Sequence, residues 1–251
     1  LYKEEIELLL RTPGLAGFQL LDLHDYPGTG MALVGLLDAF WDSKGIISPA
    51  DFRRFCNQTV PLLRLSKREF LSCDSIAAPA ELLHFGQHEL QNVEPIWKIE
   101  DEKGQLVCNG TFPTLSVPRA SRVTLGTIQT NLAEVTQATK LTVTVALKET
   151  KIVNSWNIWV YPAVVETEAP ASVAVRRSFD EDVLEEIKNG GTVLLLPNRA
   201  NLRNSRPGRF LPVFWSPIYF SSNNVTMSIL CDPNHPALTH FPTDNHSDWQ
   251  W

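Results

Sequence analysis

His24, Asp25 and Tyr26 stand side by side and offer an imidazole, a carboxylate and a phenol, with Asp22 two residues upstream. These groups suit a polyhydroxylated ligand. Carboxylate and imidazole take hydroxyls by hydrogen bonds, while a phenol stacks on a ring face or donates its own proton. The cluster follows the apolar run 18–23 and precedes the loop Pro27-Gly28-Thr29-Gly30. That order fits a strand delivering side chains to a ligand-facing rim. The same residues also fit a plainer arrangement, with Asp25 capping the turn at 27–30 and His24 packed against the segment that follows. Asp22, inside the run, is expected to support the cluster from behind. Trp41 either closes such a site or fills the core.

Other candidate groups carry less. Glu4, Glu5 and Glu7 fall on one short helical stretch and are expected to face solvent. Cys231 follows the strand-like run 226–230 and precedes His235, but it leads into Asp232-Pro233. A nucleophilic cysteine needs a glycine-flanked elbow there, so a small residue at a strand end is the expectation. His235, His240 and His246, with Asp232 and Asp244, have loop spacings, and none of the four cysteines forms a CxxC pair. No metal and no cofactor is expected. Gly190-Gly191 closes a helix, whereas phosphate binding uses helix N-termini.

The bulk numbers narrow the classes further. A net charge of -6 argues against nucleic acid. No run reaches the ~18 apolar residues of a membrane span. The chain has 251 residues, 43% of them hydrophobic, enough for one large or several small cores. Its 7 tryptophans fit sugar stacking or large cores. It opens on Leu1-Tyr2-Lys3-Glu4 and ends on Trp249-Gln250-Trp251, as expected of a piece of a longer protein.

Three textures succeed one another along the chain. Residues 2–11 are predicted as an amphipathic helix stopped by Thr12-Pro13-Gly14, followed by a buried strand at 17–23 and a helix at 48–56 opened by Ser48 and Pro49. From Val60 to Pro162 short β-rich runs alternate with turn signals, most regularly in Leu141-Thr142-Val143-Thr144-Val145-Ala146-Leu147. Evenly spaced strands of this kind predict an immunoglobulin-like β-sandwich. Residues 172–196 read strand, helix, strand, a small α/β unit with a parallel pair, and 226–230 reads as one more strand.

The segment RTPGLAGFQLLDLHDYPGTGMALVGLLDAFWDSKG resembles the end of the catalytic (β/α)8 barrel in bacterial glycoside hydrolase family 2 enzymes, the β-galactosidase-like group. The runs at 188–197 and 232–238 resemble the class-I-amidotransferase-like α/β domain of some members. The resemblance implies a multidomain α and β chain: the last βα part of a barrel at 1–59, the sandwich at 60–165, and a truncated α/β domain at 166–251. It implies an exo-acting, two-carboxylate glycosidase as parent, acting on an oligosaccharide or glycoside, with His24, Asp25, Tyr26 and Asp22 at the substrate. Its catalytic glutamates would lie on earlier barrel strands, outside this chain, so the chain by itself is expected to be inactive. The remaining N-terminal domains of the same protein would be its partners, and a periplasmic or extracellular location goes with the family. A non-catalytic carbohydrate-binding or structural accessory module is the rival expectation.

Overall fold

The protein is described by a computed structural model covering residues 2–15, 17–28, 32–165, 167–204, 216, 218–220 and 228–251. Helix α1, Tyr2–Arg11, has Glu4 and Glu5 in its first turn and Arg11 in its last, the order the helix dipole favours. Helix α2, Pro49–Phe55, starts at Ser48, whose hydroxyl accepts the Asp51 N–H at 3.1 Å. Strands β1 Thr59–Leu63, β2 Glu69–Leu71, β3 Ser75–His84, β4 Leu90–Val93 and β5 Pro95–Asp101 follow. Next come β6 Leu106–Thr111, β7 Leu115–Val117, β8 Ser121–Asn131, β9 Thr139–Leu147 and β10 Val153–Tyr161. Beyond them lie β11 Val173–Arg176, helix α3 Glu181–Lys188 and β12 Thr192–Leu195.

Strands β1, β3 and β8 form an antiparallel three-stranded sheet. A five-stranded sheet has the order β2-β10-β9-β5-β6, antiparallel except for the parallel pair β2–β10. Strands β4 and β7 make a separate ribbon. Alternation in β9 turns Leu141, Val143, Val145 and Leu147 inward, where they meet Trp156 and Ile158 of β10, Ile99 of β5 and Ile76, Ala78 and Leu82 of β3 in one core. Each such aliphatic side chain contributes roughly 1.5–3 kcal/mol by leaving water.

Helix α1 is fastened to these sheets at both ends. Glu7, fully buried, accepts the Trp156 indole N–H at 2.7 Å and the Asn154 amide at 2.7 Å, and pairs with Lys3. At the other end Arg64 donates to the Arg11 carbonyl at 3.0 Å, and Arg122 donates to the same oxygen. Both guanidinium groups pair with Glu81, at 2.9 Å and 3.7 Å. Two cations on the last carbonyls of a helix oppose the negative end of its dipole. Between the two anchors Leu10 packs on Val60, Leu62 and Leu83, the outer face of β1 and β3.

No closed (β/α)8 barrel is present; the sheets are open, and the described residues hold three α-helices. The barrel strand expected at 17–23 does not form. Its backbone turns at Asp22, φ 59°, and the segment that follows makes isolated bridges, His24 to Leu37 and Tyr26 to Ala32. Leu20, Leu21 and Leu23 have the composition of a strand buried on both faces. A buried parallel strand needs a neighbour on each edge for its N–H and C=O groups, and among the described residues none runs beside it. Leu21 is accordingly 74% exposed. The self-contained immunoglobulin-like β-sandwich expected over 60–165 is also corrected. The strands form two open sheets, one with a parallel edge pair, and their buried polar groups are completed from α1, outside that range.

A separate compact unit, Val164–Gly208, holds β11, α3 and β12, while Leu1–Ala163 and Arg209–Trp251 belong to the first unit. Within the small unit β11 and β12 pair in parallel, Asp180 caps α3 by accepting the Val183 N–H at 3.2 Å, and Gly190 follows the helix at φ 83°. The strand expected at 226–230 lies partly outside the described residues; Leu230 makes one antiparallel bridge to His246.

Candidate functional site

Among the described residues of 17–47 there is no regular strand, and side-chain bonds hold the segment together. Asp25 does most of this. It is 5% exposed, and its Oδ1 accepts the Gly35 N–H at 2.9 Å and the Lys44 ammonium at 2.5 Å. Lys44 also donates to the Gly35 carbonyl at 2.9 Å. Main-chain bonds close the same fold: Asp25 N–H to Leu37 O at 3.0 Å, and reciprocal bonds between Tyr26 and Ala32 at 2.9 and 3.1 Å. The two arms touch at Gly35, where a Cβ would stand 2.3 Å from the His24 carbonyl carbon. A glycine is required there by contact, not by φ. The Tyr2 hydroxyl ties α1 to this loop by donating to Val34 O at 2.8 Å. Burial pushes the Tyr2 phenol above its ordinary range, and the carboxylates of Asp22, Glu5 and Asp25 add to that.

With Asp25 turned inward, its neighbours in sequence point outward. The His24 ring lies against Trp41, centroids 4.4 Å apart and planes tilted by 53°. Its Nδ1 is 2.5 Å from the Asp25 carbonyl oxygen. A carbonyl only accepts, so Nδ1 carries the proton, and in the neutral ring Nε2 is an acceptor. Tyr26, 41% exposed, folds its ring over Gly28, where a Cβ would meet it at 2.2 Å. Trp41 is 60% exposed and sits at φ 71°, held by Asp38, whose carboxylate accepts the Phe40 and Asp42 N–H groups. Asp22 is half-buried at the bend. The four sequence candidates therefore divide. His24 is half-buried against Trp41, Tyr26 is exposed over Gly28, Asp25 is the buried pin between them, and Asp22 shapes the bend.

Elsewhere the candidate chemistry is absorbed by structure. Cys231 Sγ donates to Asp244 O at 3.2 Å, while His235 Nδ1 accepts the Ala237 N–H at 3.1 Å and caps a short 3-10 turn. An imidazole nitrogen spent on a backbone N–H does not activate a thiol. Among the described residues no group of three or more His, Cys, Asp and Glu converges as a metal site, and no catalytic pair of carboxylates is formed. No helix of the described residues is long and apolar enough to cross a membrane. Glu7 is the feature that sequence reading missed: expected at the surface, it is the most deeply buried acid among the described residues, and two of its partners lie 147 and 149 residues away.

Two family models match parts of the chain. Residues 74–162 match a domain of unknown function (DUF8488), and residues 174–251 match another (DUF8487). No curated protein matches the sequence. Among solved structures, an alkylpurine DNA glycosylase from Pseudomonas fluorescens bound to abasic-site DNA is 10% identical, with 41% of this chain and 30% of that one aligned at a TM-score of 0.34. A CARDB domain from Pyrococcus furiosus, in complex with di-metal ions, is 12% identical over 41% and 93%, at 0.33. A family 123 glycoside hydrolase from Clostridium perfringens is 7% identical over 48% and 30%, at 0.31. The chain spans about a third of the glycosylase and of the hydrolase. Such likenesses carry no functional argument, and they do not converge on one family.

Proposed function

We propose that this chain is a non-catalytic C-terminal region of an exo-acting, family 2-like glycosidase, lending one rim to a substrate site whose catalytic glutamates lie outside it. The observation that carries this is the division of labour at 24–26. A buried carboxylate, bonded by the Lys44 ammonium and the Gly35 N–H, pins the segment around it. Above the pin His24 presents an acceptor nitrogen beside the half-exposed Trp41. Aromatic faces with a few fixed polar atoms are what a sugar ring needs. The ligand of this reading is an oligosaccharide or glycoside, and the periplasmic or extracellular setting goes with the resemblance of residues 11–45.

The test uses the longer enzyme that contains this region, assayed on a panel of aryl glycosides. His24→Ala and Trp41→Ala should each lower kcat/KM by about 10- to 100-fold, the worth of a lost polar or stacking contact to the substrate. The chain by itself should release no sugar. Unchanged kcat/KM in both variants would sink the rim, and turnover by this chain alone would sink its non-catalytic character.

A further inference from the structure

Away from residues 17–45, two clefts of about 350 and 280 Å³ adjoin on the first unit. Glu4, Arg68 and Trp249 line both, so the two clefts meet at these residues as a groove that Trp249 borders. Trp249 is 54% exposed. Along the walls each cation is already paired: Arg68 with Glu4 at 2.6 Å, Arg54 with Asp51 at 3.3 Å, Lys67 with Asp74 at 2.6 Å, and Lys3 and Arg11 with Glu7. Arg54 also donates to the Ser155 hydroxyl at 3.4 Å.

We propose that this groove is a saccharide-binding site, separate from the rim at His24. Three properties select the ligand class. The half-exposed indole offers a flat apolar face, which the C–H face of a pyranose covers. Each guanidinium–carboxylate pair sets donors and acceptors side by side, the pattern a hydroxyl satisfies because it both gives and takes a hydrogen bond. The pairs are electrically compensated, so the groove does not select an anion, which would need a guanidinium not already held by a carboxylate. The main cleft's volume is at the lower end of the roughly 300–1,000 Å³ typical of small-molecule sites. The groove shares no residue with His24, Tyr26 or Trp41, so the inference stands whether or not the rim reading does.

The experiment titrates this chain with cellohexaose, xylohexaose and β-1,4-galactohexaose, read by calorimetry and by tryptophan fluorescence. At least one probe should bind. Trp249→Ala should weaken it tenfold or more, and Arg54→Ala about threefold to tenfold. Both variants should keep the parent's circular dichroism, and Lys98→Ala, at an exposed position of β5, should bind like the parent. If Trp249→Ala does not fold, the Arg54→Ala result decides, since that side chain lies on the outer face of α2. The proposal is overturned if no probe binds up to about 10 mM. It is equally overturned if the folded variants at 249 and 54 bind unchanged. Loss of binding in His24→Ala alone overturns it too, and assigns the saccharide to the rim.

Discussion

Replacing Glu7 with alanine should cost the first unit a large share of its stability. The carboxylate is fully buried and receives the Trp156 indole N–H at 2.7 Å, the Asn154 amide at 2.7 Å and the Lys3 ammonium. Alanine removes the carboxylate that these groups share with Arg11, so the Trp156 N–H loses its acceptor and Lys3 its ion-pair partner, while the Asn154 amide keeps the Pro61 carbonyl at 2.9 Å. Breaking a buried pair from one side costs about 3–5 kcal/mol. In a domain of this size that is about 6–20 °C in Tm, and a sizeable part of the ~5–15 kcal/mol that folded domains have in total. Glu7→Gln keeps the shape but has one acceptor oxygen for three donors, so about 1.5–3 kcal/mol is expected. Lys3 supplies the internal control. Burial pushes its ammonium below the ordinary range, while Glu7 pulls it back up. Removing Glu7 makes the buried ammonium a liability, so Lys3→Met should recover part of the loss in the Glu7→Gln background. Urea unfolding followed by tryptophan fluorescence measures Glu7→Ala and the four members of the Glu7→Gln and Lys3→Met double-mutant cycle. A loss below about 1 kcal/mol for Glu7→Ala would refute the idea that this carboxylate anchors the helix.

Other outcomes are equally specific. Gly35→Ala places a methyl group 2.3 Å from the His24 carbonyl carbon, so the amides of Asp25 and Leu37 should lose hydrogen-exchange protection while those of β9 and β10 keep theirs. Lys44→Met removes the ammonium from Asp25 and should loosen the same loop by about 1–3 kcal/mol, read by the same exchange experiment. Tyr161 has a buried hydroxyl with no hydrogen-bond partner among the described residues, so Tyr161→Phe should be neutral or stabilising by up to about 1 kcal/mol at pH 7. Burial also pushes that phenol from 10.0 up to about 12. Between those values the unfolded chain is ionised and the folded one is not, so stability should fall as pH rises through the window. The ring is only partly enclosed, so the loss is about 1 kcal/mol, below the full linkage value, and Tyr161→Phe should abolish it.

Local chemistry was legible in the sequence; distant pairing was not. Ser48 followed by Pro49 announces α2, Asp180 announces α3, and the alternation of 141–147 announces β9, because each signal sits within a few residues of its effect. Strand β3 was harder. A proline, Pro79, stands in the middle of it. The strand passes through, because β1 ends opposite Ala80 and the bond from Arg64 N–H uses only the Pro79 carbonyl. At the site, His24 and Tyr26 were legible as outward polar groups. Asp25 was not legible as a pin, since Lys44 and Gly35 come 19 and 10 residues later. The run 17–23 misled for the opposite reason: leucines declare burial without saying which neighbours supply it.

The double fastening of α1 bears on the order of folding. A helix of 10 residues does not hold its shape alone in water. Its acceptor for the Trp156 indole gains a partner only once β10 is in place, and its last carbonyls gain theirs only once β3 and β8 hold Arg122 against Glu81. Closing a loop of that length against a formed sheet is a late event. Helix α1 therefore behaves as a clasp. During synthesis it emerges ahead of β1–β10, yet it becomes helical after them, and until it closes, the outer face of β1 stays wet and open to association with other chains.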